Sequence, residues 1–351
     1  MFPLGAPYLS MQALHILRNM YFISSRIGQN ASSQQTFVLL AAIDILSQYP
    51  DLAENFLRSI KPSEIGQIPA HPVERCLDLF FLNAAEHFPL VLSPATNEEL
   101  LLSAAFPYLA VGANNLLLEI FEAAHSMVLV VFAIPHNSEL AAKHLPFYID
   151  NLFAVSLTMF SPMDAASNCI QVFPNNLSAR QFRLAFKTVI QITAPPSPLA
   201  NSQPLLPSIL LEVVHDRALN ASSTPIPAQG PNPDLSQSPP LSEQAVLTLA
   251  LLDSLSFLRV DDLKEWLPLA AQLINAIADR NMRHTCIDRF WEALAGGEMD
   301  VDRAHCCVTW WSTQGGRELV LFGAETAPGN SEEGGPYMSG AVGDVAPESK
   351  L

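Results

Sequence analysis

This 351-residue sequence predicts an all-α fold of helix pairs stacked into an array. Three observations carry that prediction. Apolar residues recur at i, i+3, i+4 and i+7 in segment after segment, the spacing that collects them on one stripe of a helix. Strand alternation is nearly absent, and Glu318–Phe322 alone is read as a short strand or an extended end. A proline recurs early in apolar helices, at Leu145-Pro146-Phe147, Leu206-Pro207-Ser208 and Leu267-Pro268-Leu269, with Phe106-Pro107-Tyr108 a looser case.

Taken in order, helices are predicted over 8–27, 34–48, 51–60, 72–87, 97–111, 114–134, 138–160, 163–173, 178–193, 205–219, 242–258, 262–280, 282–295 and 300–313. Start signals support them: Pro50-Asp51, Ser93-Pro94, Ser161-Pro162 and Ser178 precede apolar runs, as N-caps and first-turn prolines do. The array is organised around Asn97 to Phe160, where three helical patterns follow with almost no spacer. The middle one carries Leu116, Leu117, Ile120, Phe121, Ala124, Met127, Val128 and Val131 on its stripe. Glu119, Glu122, His125 and Ser126 are expected to leave it a narrow wet face. A helix this apolar needs neighbours on two sides. It is a poor membrane span, because Glu119, Glu122 and His125 interrupt it and Met127–Ile134 falls far short of the ~20 residues a bilayer needs.

Charged residues are 15% of the chain, below the ~25% of an average domain. The net charge of −16 argues against nucleic acid, whose phosphates require a Lys/Arg surface. The five cysteines, Cys76, Cys169, Cys286, Cys306 and Cys307, are scattered and read as reduced core residues. Met1–Ile27 has no basic start, and His15, Arg18 and Arg26 interrupt its apolar run, so it is not read as a secretory signal. Asn30, Asn176 and Asn220 open glycosylation sequons that mean nothing without one. The chain begins almost inside the amphipathic helix Tyr8–Ile27, where a solenoid normally opens with a polar capping repeat. A C-terminal part of a longer protein, or a shortened gene model, is therefore expected.

Two linkers break the array. Pro195–Pro204 is rich in Pro, Ser and Asn. Asn220–Pro240 holds six prolines with Ser, Gln and Gly, and is expected to be a disordered loop. The tail after Gly323 is expected to be disordered too. The resulting organisation is a helical repeat array over 1–219, the Pro/Ser-rich loop over 220–240, C-terminal helical repeats over 241–323 and a tail over 324–351.

Leu267–Leu294 resembles a HEAT repeat, which makes the predicted fold a HEAT/armadillo-like α-solenoid. Leu267-Pro268-Leu269 would open its first helix, with Leu273, Ile274 and Ile277 inside. Met282-Arg283 would start the second, with Cys286, Ile287, Phe290 and Leu294 inside. The resemblance implies that Asp279, in the turn, and Arg283 bond between repeats. Paired helices of ~40–47 residues stack into such solenoids.

No nucleotide-binding, metalloprotease, nucleophile-elbow or CxxC motif is present. His305-Cys306-Cys307 clusters soft ligands, but adjacent helical cysteines point about 100° apart and do not share a tetrahedral metal easily. Buried thiols beside Trp310 and Trp311 are the better reading. His284 and Asp288, one turn apart, are read as a helix-surface pair and not a catalytic one. No cofactor or metal is expected. One short signal is specific: the chain ends Ser349-Lys350-Leu351, the standard peroxisomal address.

With that address in view, three segments become legible together: Asp288-Arg289-Phe290-Trp291-Glu292-Ala293-Leu294, Gly297-Glu298-Met299-Asp300 and Trp310 through Gly323. They resemble the C-terminal end of the fungal eighth-peroxin family. Members are generally longer at the N-terminus, and the terminal Ser349-Lys350-Leu351 matches the family's habit of ending in a peroxisomal signal. The resemblance implies a non-catalytic scaffold on the lumenal face of the peroxisomal membrane, peripheral or in the matrix, attached through proteins. It implies as partners the cargo import receptor and the receptor-docking and RING ubiquitin-ligase subcomplexes, bridged by this protein. An all-helical peroxisomal matrix enzyme, and a cytosolic repeat adaptor with an accidental terminal tripeptide, are the alternative readings.

Overall fold

The computed structural model describes residues 5–24, 29–64, 66–109, 117–153, 173, 177–226 and 240–323. The predicted helix over 163–173 lies outside them except for Phe173. So do most of the Pro/Ser-rich segment, at 227–239, and the tail over 324–351. The described helices of seven residues or more are α1 (Ala6–Ser24), α2 (Gln29–Leu46), α3 (Pro50–Ile60), α4 (Pro72–Ala85), α5 (94–108, a composite), α6 (Leu118–Ala133), α7 (Ser138–Phe153), α8 (Ala179–Thr193), α9 (Leu206–Asn220), α10 (Glu243–Ser254), α11 (Val260–Ala276), α12 (Arg280–Ala295), α13 (Val301–Thr313) and α14 (Gly316–Phe322).

Their contacts form a ladder. Helix α1 packs on α4, α4 on α6, α6 on α8, α8 on α10 and α10 on α12. The alternate helices flank this layer: α7 against α6, α9 against α10 and α11, and α11 against α13 and α14. Each helix therefore buries one stripe on its partner and another on the next pair, which is the packing of a solenoid. Three of the start signals work as anticipated, and Ser161-Pro162 lies outside the described residues. Ser93 Oγ accepts from Thr96 N–H at 3.1 Å, Ser178 Oγ from Gln181 N–H at 3.4 Å, and Pro50 and Pro94 occupy first turns.

Helix α6 is the central rung. Ile120, Phe121, Ala124, Met127, Val128 and Val131 of its predicted stripe are all buried. His125, expected on the wet face, is buried as well, sharing a 3.0 Å hydrogen bond with Tyr148 of α7. The reason is tertiary: α7 covers the flank that a single-helix view leaves open. Among the described residues no single helix is long and apolar enough to cross a membrane. Leu118–Ala133 and Pro135–Phe153 meet that length together but are bent 93° apart.

Helix α5 is irregular. A π-turn spans Asn97–Leu102, where the Ser103 N–H and Oγ both donate to the Glu98 carbonyl. Buried Asn97 donates from Nδ2 to Pro89 O at 3.0 Å and to Asn137 Oδ1 at 3.3 Å, and Asn137 donates to Val131 O, joining the two inter-helix turns.

Four sequence expectations need correction. Glu318–Phe322 is helical, within α14, because Gly315 at φ 75° starts a new turn that buries Val320 against the core. The helix predicted over 262–280 ends at Ala276. Pro268 does not open it but lies inside α11, as Pro146 lies inside α7; Pro207 does sit in the first turn, of α9. Asp279 and Arg283 do not bond between repeats. Asp279 caps α12 by accepting from Met282 N–H at 2.8 Å, and Arg283 donates to Ile277 O at 2.9 and 2.7 Å within the same turn.

The linker Pro195–Pro204 is docked, with Leu199 and Ala200 buried. The Pro/Ser-rich segment leaves and re-enters the array at one place. Ile226 N–H donates to Leu241 O at 2.8 Å, and Arg217 of α9 pairs with Glu243 of α10 at 2.7 Å.

Candidate partner-binding surface

The between-repeat charges sit elsewhere than the sequence suggested. Asp253 on α10, 7% exposed at its side chain, accepts from Arg183 of α8 at 2.7 and 3.0 Å and from Arg289 of α12 at 2.6 Å. One carboxylate thus ties three successive rungs. Hydrogen bonding to Asp253 and the field of Asp253 and Glu298 raise Arg289 against the opposing effect of burial. Glu298 lies 3.6 Å from Lys187 and 3.8 Å from Arg289 and closes the network. At the other joints, Arg58 of α3 meets Glu54 and Glu99, and Lys143 and His144 of α7 meet Glu98.

Several titratable groups are buried without the arrangement of an active site. Burial lowers His125 to about 3, so it is neutral, and its Nε2 has no hydrogen-bond partner. Tyr108 donates to Asp78 at 2.7 Å; burial pushes both groups up. Burial pushes the Cys286 and Cys307 thiols up to about 12, so they behave as core residues and not as nucleophiles. Cys306 is half-buried. His284 and Asp288 are both exposed on α12. Among the described residues no group of three His, Cys, Asp or Glu could hold a metal ion.

What the ladder does offer is a groove. A cleft of about 270 Å³ between α1, α2 and α4 is walled by Leu17, Tyr21, Leu39 and Phe80. A second hollow of about 400 Å³ runs on across α4, α6 and α8, past Glu86, Glu119, Glu122 and Gln181. Tyr21 and Asn83, hydrogen-bonded at 3.2 Å, line both. Sequence reading placed Glu119 and Glu122 on the wet side of α6 but could not join them to Glu86, which accepts from Ser126 of the same helix, forty residues further along the chain.

Residues 53–133 match the model of the PEX8 central TPR-like domain, and residues 158–318 match the model of the PEX8 C-terminal domain. The chain belongs to the PEX8 family. Among relatives, Peroxisomal biogenesis factor 8 of Komagataella phaffii is 26% identical over 87% of this chain and 46% of its own length. That of Pichia angusta is 24% identical over 87% and 45%, and Peroxisomal membrane protein PEX17 of Yarrowia lipolytica is 23% identical over 88% and 47%. The chain spans about half the length of the curated relatives it matches. No solved structure matches it.

The two PEX8 domain models fall on the two halves of the ladder. The central one covers α4 to α6 and most of α3, and the C-terminal one covers α8 through α13 and the start of α14. The segment that carried the sequence resemblance closes the C-terminal end. Trp310 is buried edge-on to Phe290, and Gly316 lies so close to it that a Cβ there would come within 2.5 Å of the indole. Ser349, Lys350 and Leu351 lie outside the described residues.

Proposed function

We propose that this chain is a non-catalytic scaffold of peroxisomal matrix-protein import. It acts on the lumenal face of the membrane, held there through proteins, bridges the receptor-docking and RING ubiquitin-ligase subcomplexes, and engages the cargo receptor. The observation that carries the reading is PEX8 family membership across both halves of an α-solenoid. Solenoids present long, continuous surfaces for several partners. The array over 1–219 and the repeats over 241–323 would supply separate surfaces, joined at the loop over 220–240, with the tail over 324–351 carrying the address.

Affinity purification of the tagged chain from peroxisome-bearing cells tests this. Docking and RING components and the import receptor should co-purify, and carbonate should release the chain from membranes. A freely soluble chain that brings down none of them overturns the reading. Ser349-Lys350-Leu351 is proposed as the targeting signal, because a receptor groove for a C-terminus holds the carboxylate and the side chains beside it. Deleting Leu351 moves that carboxylate and removes the apolar anchor. Binding of the terminal peptide to the import receptor should fall at least tenfold, about 1.4 kcal/mol. Equal binding without Leu351 removes the tripeptide from the proposal.

A further inference from the structure

We infer that the groove across α1, α4, α6 and α8 docks a partner segment that sets lysine or arginine side chains beside a large apolar one. At the other charged helix joints, carboxylates meet cations: Glu99 meets Arg58, Glu98 meets Lys143, Glu243 meets Arg217, and Asp253 meets Arg183 and Arg289. In the groove, Glu86, Glu119 and Glu122 line one hollow; His87 lies 3.8 Å from Glu86, and none of the described residues that line the hollow is Lys or Arg. Like charges gathered in one hollow repel, with low-dielectric walls focusing the field outward. A cationic side chain of a partner relieves that.

The shape agrees with the charge. The acidic hollow shares Tyr21 and Asn83 with the cleft walled by Leu17, Leu39 and Phe80. The two together have the scale of ligand pockets, which run from about 300 to 1,000 Å³. An apolar anchor would enter the cleft on the α2 side, and cations one or two turns along would reach Glu119 and Glu122. A free C-terminal carboxylate is excluded by the same field. The chain's own total charge of −16 opposes a second copy. Glu86 and Glu122 also carry structural hydrogen bonds, from Ser126 Oγ at 2.9 Å and Ser178 N–H at 3.2 Å, which fix their direction.

For its biological partner this inference rests on the scaffold reading; its test on the purified full chain does not. The probe is a labelled 18-residue amphipathic Leu/Lys helix, beside a Leu/Glu version and a Ser/Lys version. A variant with Glu86→Gln, Glu119→Gln and Glu122→Gln keeps the local acceptors while removing three charges. A control with Glu265→Gln, Asp288→Asn and Asp302→Asn removes three exposed charges on α11, α12 and α13. The groove variant should lower Leu/Lys affinity at least tenfold and the control less than twofold. The Ser/Lys peptide should bind at least tenfold more weakly, and the Leu/Glu peptide should not bind. Equal losses in both variants mean non-specific attraction to an acidic protein and overturn the proposal. Tight Leu/Glu binding, or self-association that the groove variant abolishes, overturns it as well. Failure here leaves co-purification of import components untouched, so the two readings fail separately.

Discussion

The two halves of the ladder join their rungs by opposite means. From α8 to α12 the joint is a buried ion cluster, Asp253 between Arg183 and Arg289. From α3 to α7 the joints are aromatic and hydrogen-bonded, with Phe132 and His125 edge-on to Tyr148, Phe106 edge-on to Phe147, and Tyr108 donating to Asp78. Their ion pairs, such as Arg58 with Glu99, sit at the exposed rim. The difference shows where charge is costly. A rim pair loses little when broken, because water replaces the partner. Removing a buried carboxylate that two guanidinium groups share takes their buried partner from both.

The largest expected effect tests that asymmetry directly. Asp253→Ala should destabilise the C-terminal half by about 3–5 kcal/mol in chemical denaturation, since Arg183 and Arg289 are left without their buried partner. A loss below about 1 kcal/mol would mean that water reaches the arginines and that the halves are alike.

Next is a pH effect confined to the other half. His125 is held near 3 in the fold against an ordinary 6.5. The unfolded chain therefore binds a proton that the folded chain refuses between those values. Stability contributed by His125 is present above pH 6.5 and is lost as pH falls, by about 2 kcal/mol between pH 7 and 5. His125→Leu should flatten that slope. A slope unchanged in the variant would assign the pH dependence to another group.

Tyr148→Phe comes third. It removes the hydrogen bond to His125, whose Nε2 already has no partner. A cost of about 1–2 kcal/mol is expected in the melting curve. A neutral outcome would show that the aromatic packing alone secures this joint. The smallest effect is Glu99→Gln at the rim, which should leave the unfolding midpoint unchanged within error. A measurable loss there would erase the contrast between rim and core.

The acidic groove and the ion cluster share a reason for being hidden in the sequence. Glu86 with Glu119 and Glu122 are brought together from the ends of two helices, and Asp253 with Arg183 and Arg289 from three. Helical periodicity reports which side of one helix is apolar; it carries no information on which neighbours cover the other side. That is why His125 reads as wet and is buried. The inter-repeat bonds that the HEAT resemblance implied for Asp279 and Arg283 are instead bonds within their own turn.

By itself the sequence determined the local steps. Apolar spacing and N-caps set most helices, because hydrophobic periodicity and backbone capping are decided within a few residues. The stripe of α6 and the burial of Leu273 and Ile274 in α11 follow from it. The family was legible around Trp310 and Gly316, where a bulky ring and a missing side chain meet in one short segment. Tertiary structure decided the rest. It made Glu318–Phe322 a helix, because Val320 gains a buried seat that an extended end would not have. It chose Asp253 as the carboxylate that holds the rungs, because only stacking sets α8 and α12 on either side of α10.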